Sequence, residues 1–317
     1  MSKQEFDITF FADVVAKPVE WLWYPYIPYG KITLLQGDPG EGKTSFVLDL
    51  LSRLSNNDYL PCSCTRASNI SIYQNNEDDI SDTIKPRLER SGAQCDRICF
   101  IENTEQHLAL DDTFIEDAII SCKARVIVLD PIQSFLGANC DINRASAIRP
   151  KMTKLKEVAA RTGCAIILVG HLNKNSNGKS KYRGLGSIDI SAAARSILFI
   201  GKAPSDPTRR AFAQLKNNLA PLGDTLCFSL DDGVLDWHGS IDLTADELMS
   251  VTKDKSPEIK SAIAFLQDKL NNGLYRSNEL LEEAESTGIS LRSLYAAKAQ
   301  LPIRSVKRGK IWYWEIV

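Results

Sequence analysis

KITLLQGDPGEGKTSFVLDLLSRL, residues Lys31 to Leu54, decides how the rest of the chain is read. Its opening run, KITLLQ, is short and mostly apolar, as in a strand covered on both faces. Gly37-Asp38-Pro39-Gly40-Glu41-Gly42-Lys43-Thr44 follows and fits G-x-x-x-x-G-K-[ST] in full. TSFVLDLLSRL then takes helical spacing. Glycines let a backbone wrap closely around phosphates with its N–H groups pointing inward. The N-terminus of the following helix adds positive potential. Gly37 to Thr44, with Ser45, are therefore the nucleotide-binding candidates. Lys43 would reach the β- and γ-phosphates of ATP, and the Thr44 hydroxyl would face Mg2+.

Outward from this motif, strands and helices alternate. NISIYQ (69–74), RICFI (97–101), RVIVLD (125–130) and CAIILVG (164–170) read as strands. Amphipathic or helical stretches separate them, over about 79–91, in DTFIEDAIISC, and over about 144–161. Apolar runs of this length between helices predict an α/β fold with a mostly parallel sheet covered on both faces. From Ser196 the pattern changes to short strands, SILFIG, AFAQLK and TLCFSL, which predict hairpins at the sheet edge.

Three further side chains sit where strands end. Asp130 closes the RVIVLD strand, a place suited to holding Mg2+ together with Thr44. Glu77 follows the second strand in QNNEDD, where a carboxylate would face the γ-phosphate and deprotonate the attacking water; the adjoining Asp78 is the alternative base. His171 follows CAIILVG and would contact the γ-phosphate, reporting hydrolysis to the next loop. That loop, Lys174 to Arg183, carries Lys174, Lys179, Lys181 and Arg183 with no acid, a candidate nucleic-acid contact.

The chain has 317 residues, 44% hydrophobic and 25% charged, which excludes wholesale disorder and suits one large domain plus a small one. With 38 basic and 40 acidic residues the net charge is −2, so a uniformly basic nucleic-acid coat is excluded. A secretion signal is not apparent, and no run of about 18 apolar residues is present to span a membrane. Eight cysteines in that setting read as reduced thiols of a cytoplasmic protein. Cys62-x-Cys64 and Cys95-xxx-Cys99 fit common zinc spacings poorly and read as loop or buried thiols.

The polar stretch VTKDKSP predicts a linker over 241–257, after a core domain over 1–240. Residues 258–317 then read as three helices (258–270, 277–286 and 290–300) and a hairpin in IRSVKRGKIWYWEIV, the order of a winged helix-turn-helix. From Arg292 to Val317 the net charge is +5, leaving −7 on the rest. Arg292, Lys307, Arg308 and Lys310 are nucleic-acid candidates there. Trp312, Tyr313 and Trp314 divide by strand alternation between a small core and an exposed face. Near the N-terminus, Trp21, Trp23 and Tyr24 suit either adenine stacking or core packing.

The ordered set GDPGEGKT, NNED, VIVLDP, GHLNK and GLGSIDISAAARSILFI resembles the RecA-like ATPase core. More narrowly it resembles the RepA/DnaB-type hexameric helicases, including RepA-like ATPases of phages and mobile elements, over about residues 18–236. DnaB-type helicases carry Gln-Leu-Asn-Arg where this chain has His171-Leu172-Asn173-Lys174. The resemblance implies a ring, most often a hexamer, hydrolysing ATP at subunit interfaces and gripping single-stranded or forked DNA. It implies that the 174–183 loop faces a central channel, and that a replication or loading protein is a partner. Relatives complete the site from the neighbouring subunit with a Lys-x-Arg pair on a late strand. Gln214-Leu215-Lys216-Asn217-Asn218 matches that stretch, with Lys216 kept and Asn218 in the arginine position. Lys216 is the first candidate finger, with Arg183, Arg195, Arg209 and Arg210 as substitutes. A recombination or repair ATPase and an ATP-controlled regulatory or defence switch are the other functions compatible with these motifs.

Overall fold

A computed structural model describes residues 8–64, 66–102, 108–137, 145–171, 188–203, 206–253, 257–271, 273–298, 300–309 and 311–316. Two compact units divide at residues 249 and 250.

In the first unit, β1 (Trp21–Trp23) and β2 (Ile27–Pro28) form a two-stranded ribbon. The main sheet then begins with β3 (Ile32–Gly37), followed by α1 (Lys43–Asn56), β4 (Ser71–Asn75), α2 (Lys85–Arg90), β5 (Ile98–Cys99) and α3 (Thr113–Cys122). It continues with β6 (Val126–Asp130), α4 (Ala145–Thr162), β7 (Ala165–His171), α5 (Ile188–Ala193) and β8 (Ser196–Ala203). β9 (Asp206–Asn217), β10 (Thr225–Asp231) and β11 (Val234–Ile241) complete the sheet, and α6 (Ala245–Lys253) follows and runs across the division. The nine strands run in the order β11-β10-β9-β8-β3-β7-β6-β4-β5. β8, β3, β7, β6, β4 and β5 are parallel, whereas β9, β10 and β11 add antiparallel.

The parallel centre forms where the apolar runs are unbroken: every residue of β3 and β6 is buried. One face is packed by α1 through Phe46, Val47, Leu50, Leu51 and Leu54, and the other by α4 through Ile148, Met152 and Leu155. Gly42 caps the start of α1 at φ +88°, and Asn57 ends it in the left-handed region at φ 57°.

Several expectations shift. SILFIG is not an edge strand, because β8 pairs in parallel with β3 at the centre of the sheet. RICFI shortens to Ile98–Cys99 on the edge. The stretch over 79–91 is a five-residue π-helical turn, Ile80–Ile84, running into α2. The stretch read as a linker contains α6, whose Leu248 and Met249 pack on Phe199, Ala211 and Ala213. Trp23 is 1% exposed and stacks on Phe212 (5.3 Å) and Phe46 (6.2 Å), so it is core and unavailable to adenine.

The second unit comprises α7 (Pro257–Leu270), β12 (Tyr275–Arg276), α8 (Ser277–Ser286), α9 (Leu291–Lys298), β13 (Ile303–Arg308) and β14 (Ile311–Ile316). Its antiparallel sheet has the order β12-β14-β13. Leu266, Leu280, Leu294 and Trp314 join in a core of its own. β12 is an element that the sequence pattern does not announce, since two residues carry no periodicity. Trp314 faces the core, while Trp312 is 50% exposed.

Candidate functional site

The site is assembled at the carboxyl ends of the parallel strands, the usual binding edge of open α/β sheets. Register does this work. Gly37 pairs with His171, and Asn75 pairs with Asp130, so β3 ends level with β7 and β4 level with β6, the first pair running about two residues further.

Lys43, 5% exposed, lies under the glycine loop and donates from Nζ to the carbonyls of Gly37 and Asp38, both at 2.8 Å. Burial lowers its pKa, while Asp130, Asp38, Glu41 and Glu77 oppose that shift. The Thr44 hydroxyl donates to Asp130 Oδ2 at 3.1 Å. Asp130 is 4% exposed, and its burial raises the carboxyl pKa against the hydrogen bonds from Tyr73 and Thr44. A hydroxyl beside a carboxylate is an all-oxygen donor pair, suited to a hard divalent cation such as Mg2+.

Glu77 Oε1 stands 3.9 Å from His171 Nε2. His171 Nδ1 is buried without a hydrogen-bond partner among the described residues. Asp78 is paired instead with Arg87 at 3.1 Å. Lys43, Thr44, Glu77, Asp130 and His171 line one open cleft of about 650 Å³, together with Arg87, Arg90 and the β10–β11 turn at Asp232–Gly233. The five residues singled out on this chain's own site are thus brought together.

Gly37 approaches β8 so closely that a Cβ would lie 2.4 Å from the Ile200 carbonyl oxygen. Glu41 is tied to Arg210 Nε at 3.0 Å and Lys202 Nζ at 3.8 Å. Arg210 therefore braces its own nucleotide loop. Lys216 Nζ donates to the carbonyls of Ser191 and Ala194, both at 2.9 Å, at the C-terminal end of α5. Arg209 pairs with Asp206 at 3.3 Å.

Lys174, Lys179, Lys181, Arg183 and Lys310 lie outside the described residues. Arg292 falls on α9, and Lys307 and Arg308 are exposed on β13, Lys307 with its ammonium 5.4 Å from the Trp312 ring centroid. Among the described residues no cluster of three or more metal-ligating side chains occurs, and Cys62 and Cys64 are exposed thiols.

Sequence reading missed Tyr73 and Asn75. The Tyr73 hydroxyl donates to Asp130 Oδ2 at 3.0 Å, and Asn75 Nδ2 donates to the Tyr73 oxygen at 3.0 Å. The available signal was their spacing: residues two apart on a strand share a face, here the one that ends at the nucleotide cleft. It also missed Arg87 and Arg90 on α2, Leu230 on β10 and Asp232 in the β10–β11 turn, which all line the cleft.

Bacillus subtilis (strain 168) DNA repair protein RadA is 29% identical over 154 residues, 47% of this chain and 29% of that protein. The Mycolicibacterium smegmatis DNA repair protein RadA is 27% identical over 152 residues, 46% of this chain and 29% of that protein. The chain thus spans under a third of the length of these curated relatives. Among solved structures, a KaiC-like protein of Pyrococcus horikoshii OT3 is 16% identical with a TM-score of 0.48, covering 70% of this chain and 98% of that one. The ATPase domain of G40P is 15% identical with a TM-score of 0.49, covering 67% and 85%. The family model described as AAA domain (AAA_25) matches residues 4–177, more than half of the chain. That coverage shows that the chain, with its phosphate-loop lysine and strand-end carboxylate on a largely parallel sheet, belongs to the AAA_25 family of AAA domains and has a P-loop ATPase core.

Proposed function

We propose that this chain is a Mg2+-dependent DNA motor of the RepA/DnaB type, a cytoplasmic ring that hydrolyses ATP at subunit interfaces. The observation that carries the reading is the convergence of Lys43, Thr44, Asp130, Glu77 and His171 in one cleft at the strand ends. Lys43 and the loop amides would hold the phosphates. Thr44 and Asp130 would hold Mg2+, which when bound supplies charge neutralisation to the phosphates. Glu77 would take a proton from the attacking water at its carboxylate oxygen. It suits this better than Asp78, whose carboxylate Arg87 already engages. His171, 3.9 Å from Glu77, would sense the γ-phosphate and pass its loss to the basic loop from Lys174 to Arg183, which grips single-stranded DNA.

Lys216 is kept as the finger offered to a neighbouring subunit, which requires it to leave the α5 carbonyls on assembly. The second unit would serve as a winged helix, with Arg292, Lys307, Arg308 and Lys310 as its contacts to duplex DNA or a loading partner. The RadA relatives favour one second reading, a repair ATPase that binds DNA without unwinding it.

The deciding experiment measures ATP turnover with and without single-stranded DNA, particle mass with a non-hydrolysable nucleotide, and strand displacement on a fork. The motor reading expects DNA-stimulated turnover, a nucleotide-dependent ring and displacement. Stimulation without displacement selects the repair reading, and a monomer indifferent to DNA overturns both.

A further inference from the structure

Asn75 ends β4, and the parallel register sets it beside Asp130 at the end of β6. Tyr73, Asn75 and Asp130 are 2%, 9% and 4% exposed, so their polar atoms must find protein partners. Tyr73 donates to Asp130 Oδ2, and Asn75 Nδ2 donates to Tyr73. At its other end, Asn75 Oδ1 accepts the backbone N–H groups of Glu77 at 2.8 Å and Asp78 at 2.7 Å. A hydroxyl has one proton to give, and a carboxylate can only accept. With its proton committed to Asp130, Tyr73 can only accept from Asn75. Asn75 must then turn its NH2 toward Tyr73 and its carbonyl toward the loop. The flipped amide would set two donors against two N–H groups. Donation in the network therefore runs one way, from the loop backbone to the carboxylate.

We propose that Asn75 is a positioning residue that ties the carboxylate of the cation site to the loop bearing the general base, with Tyr73 as the link. The proposal rests on the assignment of Glu77 as that base. Glu77 is itself exposed and solvated. Its reach to the attacking water is set by its backbone, and Asn75 is the only side chain among the described residues recorded as accepting from that N–H. A misplacement of about 1 Å costs a catalytic group on the order of a hundredfold in rate. Loss of this tether should give part of that.

The test compares Asn75→Ala, Tyr73→Phe and Glu77→Gln, singly and with Asn75→Ala combined with each of the others. Two readouts are taken: hydrolysis, and equilibrium binding of a fluorescent non-hydrolysable ATP analogue with and without Mg2+. Asn75→Ala is expected to lower kcat about 30-fold while KM and analogue affinity stay within about threefold. Tyr73→Phe is expected to lower kcat about tenfold, with no further loss beyond the Asn75→Ala value when the two are combined. In the Glu77→Gln background, Asn75→Ala should change the residual rate less than about twofold, because the base it positions has gone. A wild-type kcat for Asn75→Ala beside an inactive Glu77→Gln overturns the relay alone. An undiminished Asn75→Ala effect in the Glu77→Gln background also overturns it, and so does loss of analogue binding in step with kcat. A Glu77→Gln enzyme hydrolysing at the wild-type rate overturns the base assignment itself. If Asn75→Ala does not fold, Tyr73→Phe keeps the ring and decides by the same criteria, an unchanged kcat overturning the proposal.

Discussion

Two glycines of one loop should respond differently to the same methyl group. Gly37 sits at the end of β3, and an added Cβ would lie 2.4 Å from the carbonyl oxygen of Ile200. That is roughly 1 Å inside ordinary contact. The obstacle is backbone in a central parallel strand, which cannot rotate aside as a side chain would. Gly37→Ala therefore belongs at the upper end of the overpacking range, about 3 kcal/mol. For a unit of this size that lowers Tm by about 6–12 °C. The Gly37 carbonyl also accepts from Lys43 Nζ at 2.8 Å, so parting β3 from β8 loosens the lysine. ATP-analogue affinity should fall about tenfold, equivalent to about 1.4 kcal/mol. Gly40 has φ +78° with nothing within 4 Å of an added Cβ. Gly40→Ala meets backbone strain alone, about 1 kcal/mol, and a Tm loss of about 2–4 °C. Calorimetric melting of both variants, with analogue binding, checks the pair. A Gly37→Ala loss no larger than that of Gly40→Ala would refute the reasoning about the β3–β8 approach.

Glu77→Gln should retain ATP-analogue binding and lower hydrolysis by about 10²–10⁴, measured in single turnover; an equally slow Asp78→Asn with a normal Glu77→Gln would move the role by one residue. Asp130 has a carboxyl pKa raised by burial, so the native state binds its proton more readily than the unfolded state does. That contribution makes stability fall as pH rises above the usual carboxylate range. Without nucleotide, the Tm of Asp130→Asn should rise relative to wild type as pH is raised from below the ordinary carboxyl value of 3.8 to neutrality, and a constant gap over that span would contradict this. Neutralising Lys179, Lys181 and Arg183 together should flatten the salt slope of single-strand binding by about 2, since each neutralised phosphate contributes about 0.7; an unchanged slope rules the loop out as the contact.

Much of the site is legible before any coordinates because its chemistry is local. The glycine loop, Lys43 and Thr44 are contiguous, and Asp130 and His171 each end an apolar run that can only be a buried strand. The parallel centre of the sheet follows from the same runs. The antiparallel extension was less readable, since β8 looks like its neighbours β9 and β10 in sequence. Only pairing with β3 separates it from them.

What the amino-acid sequence by itself determined is the set of groups that short-range order can specify: a phosphate loop at a helix start, carboxylates at strand ends, and a second unit with its own apolar periodicity. What the tertiary structure alone decided is who faces whom. Arg210 reaches Glu41 from a strand far along the chain, Arg90 meets Asp232 across the cleft, and Tyr73 and Asn75 face Asp130 rather than solvent. Such contacts depend on strand register and sheet order, which long-range packing fixes and no local pattern encodes. The nucleotide loop could be read from eight consecutive residues, but the brace beneath it and the tether beside it could not.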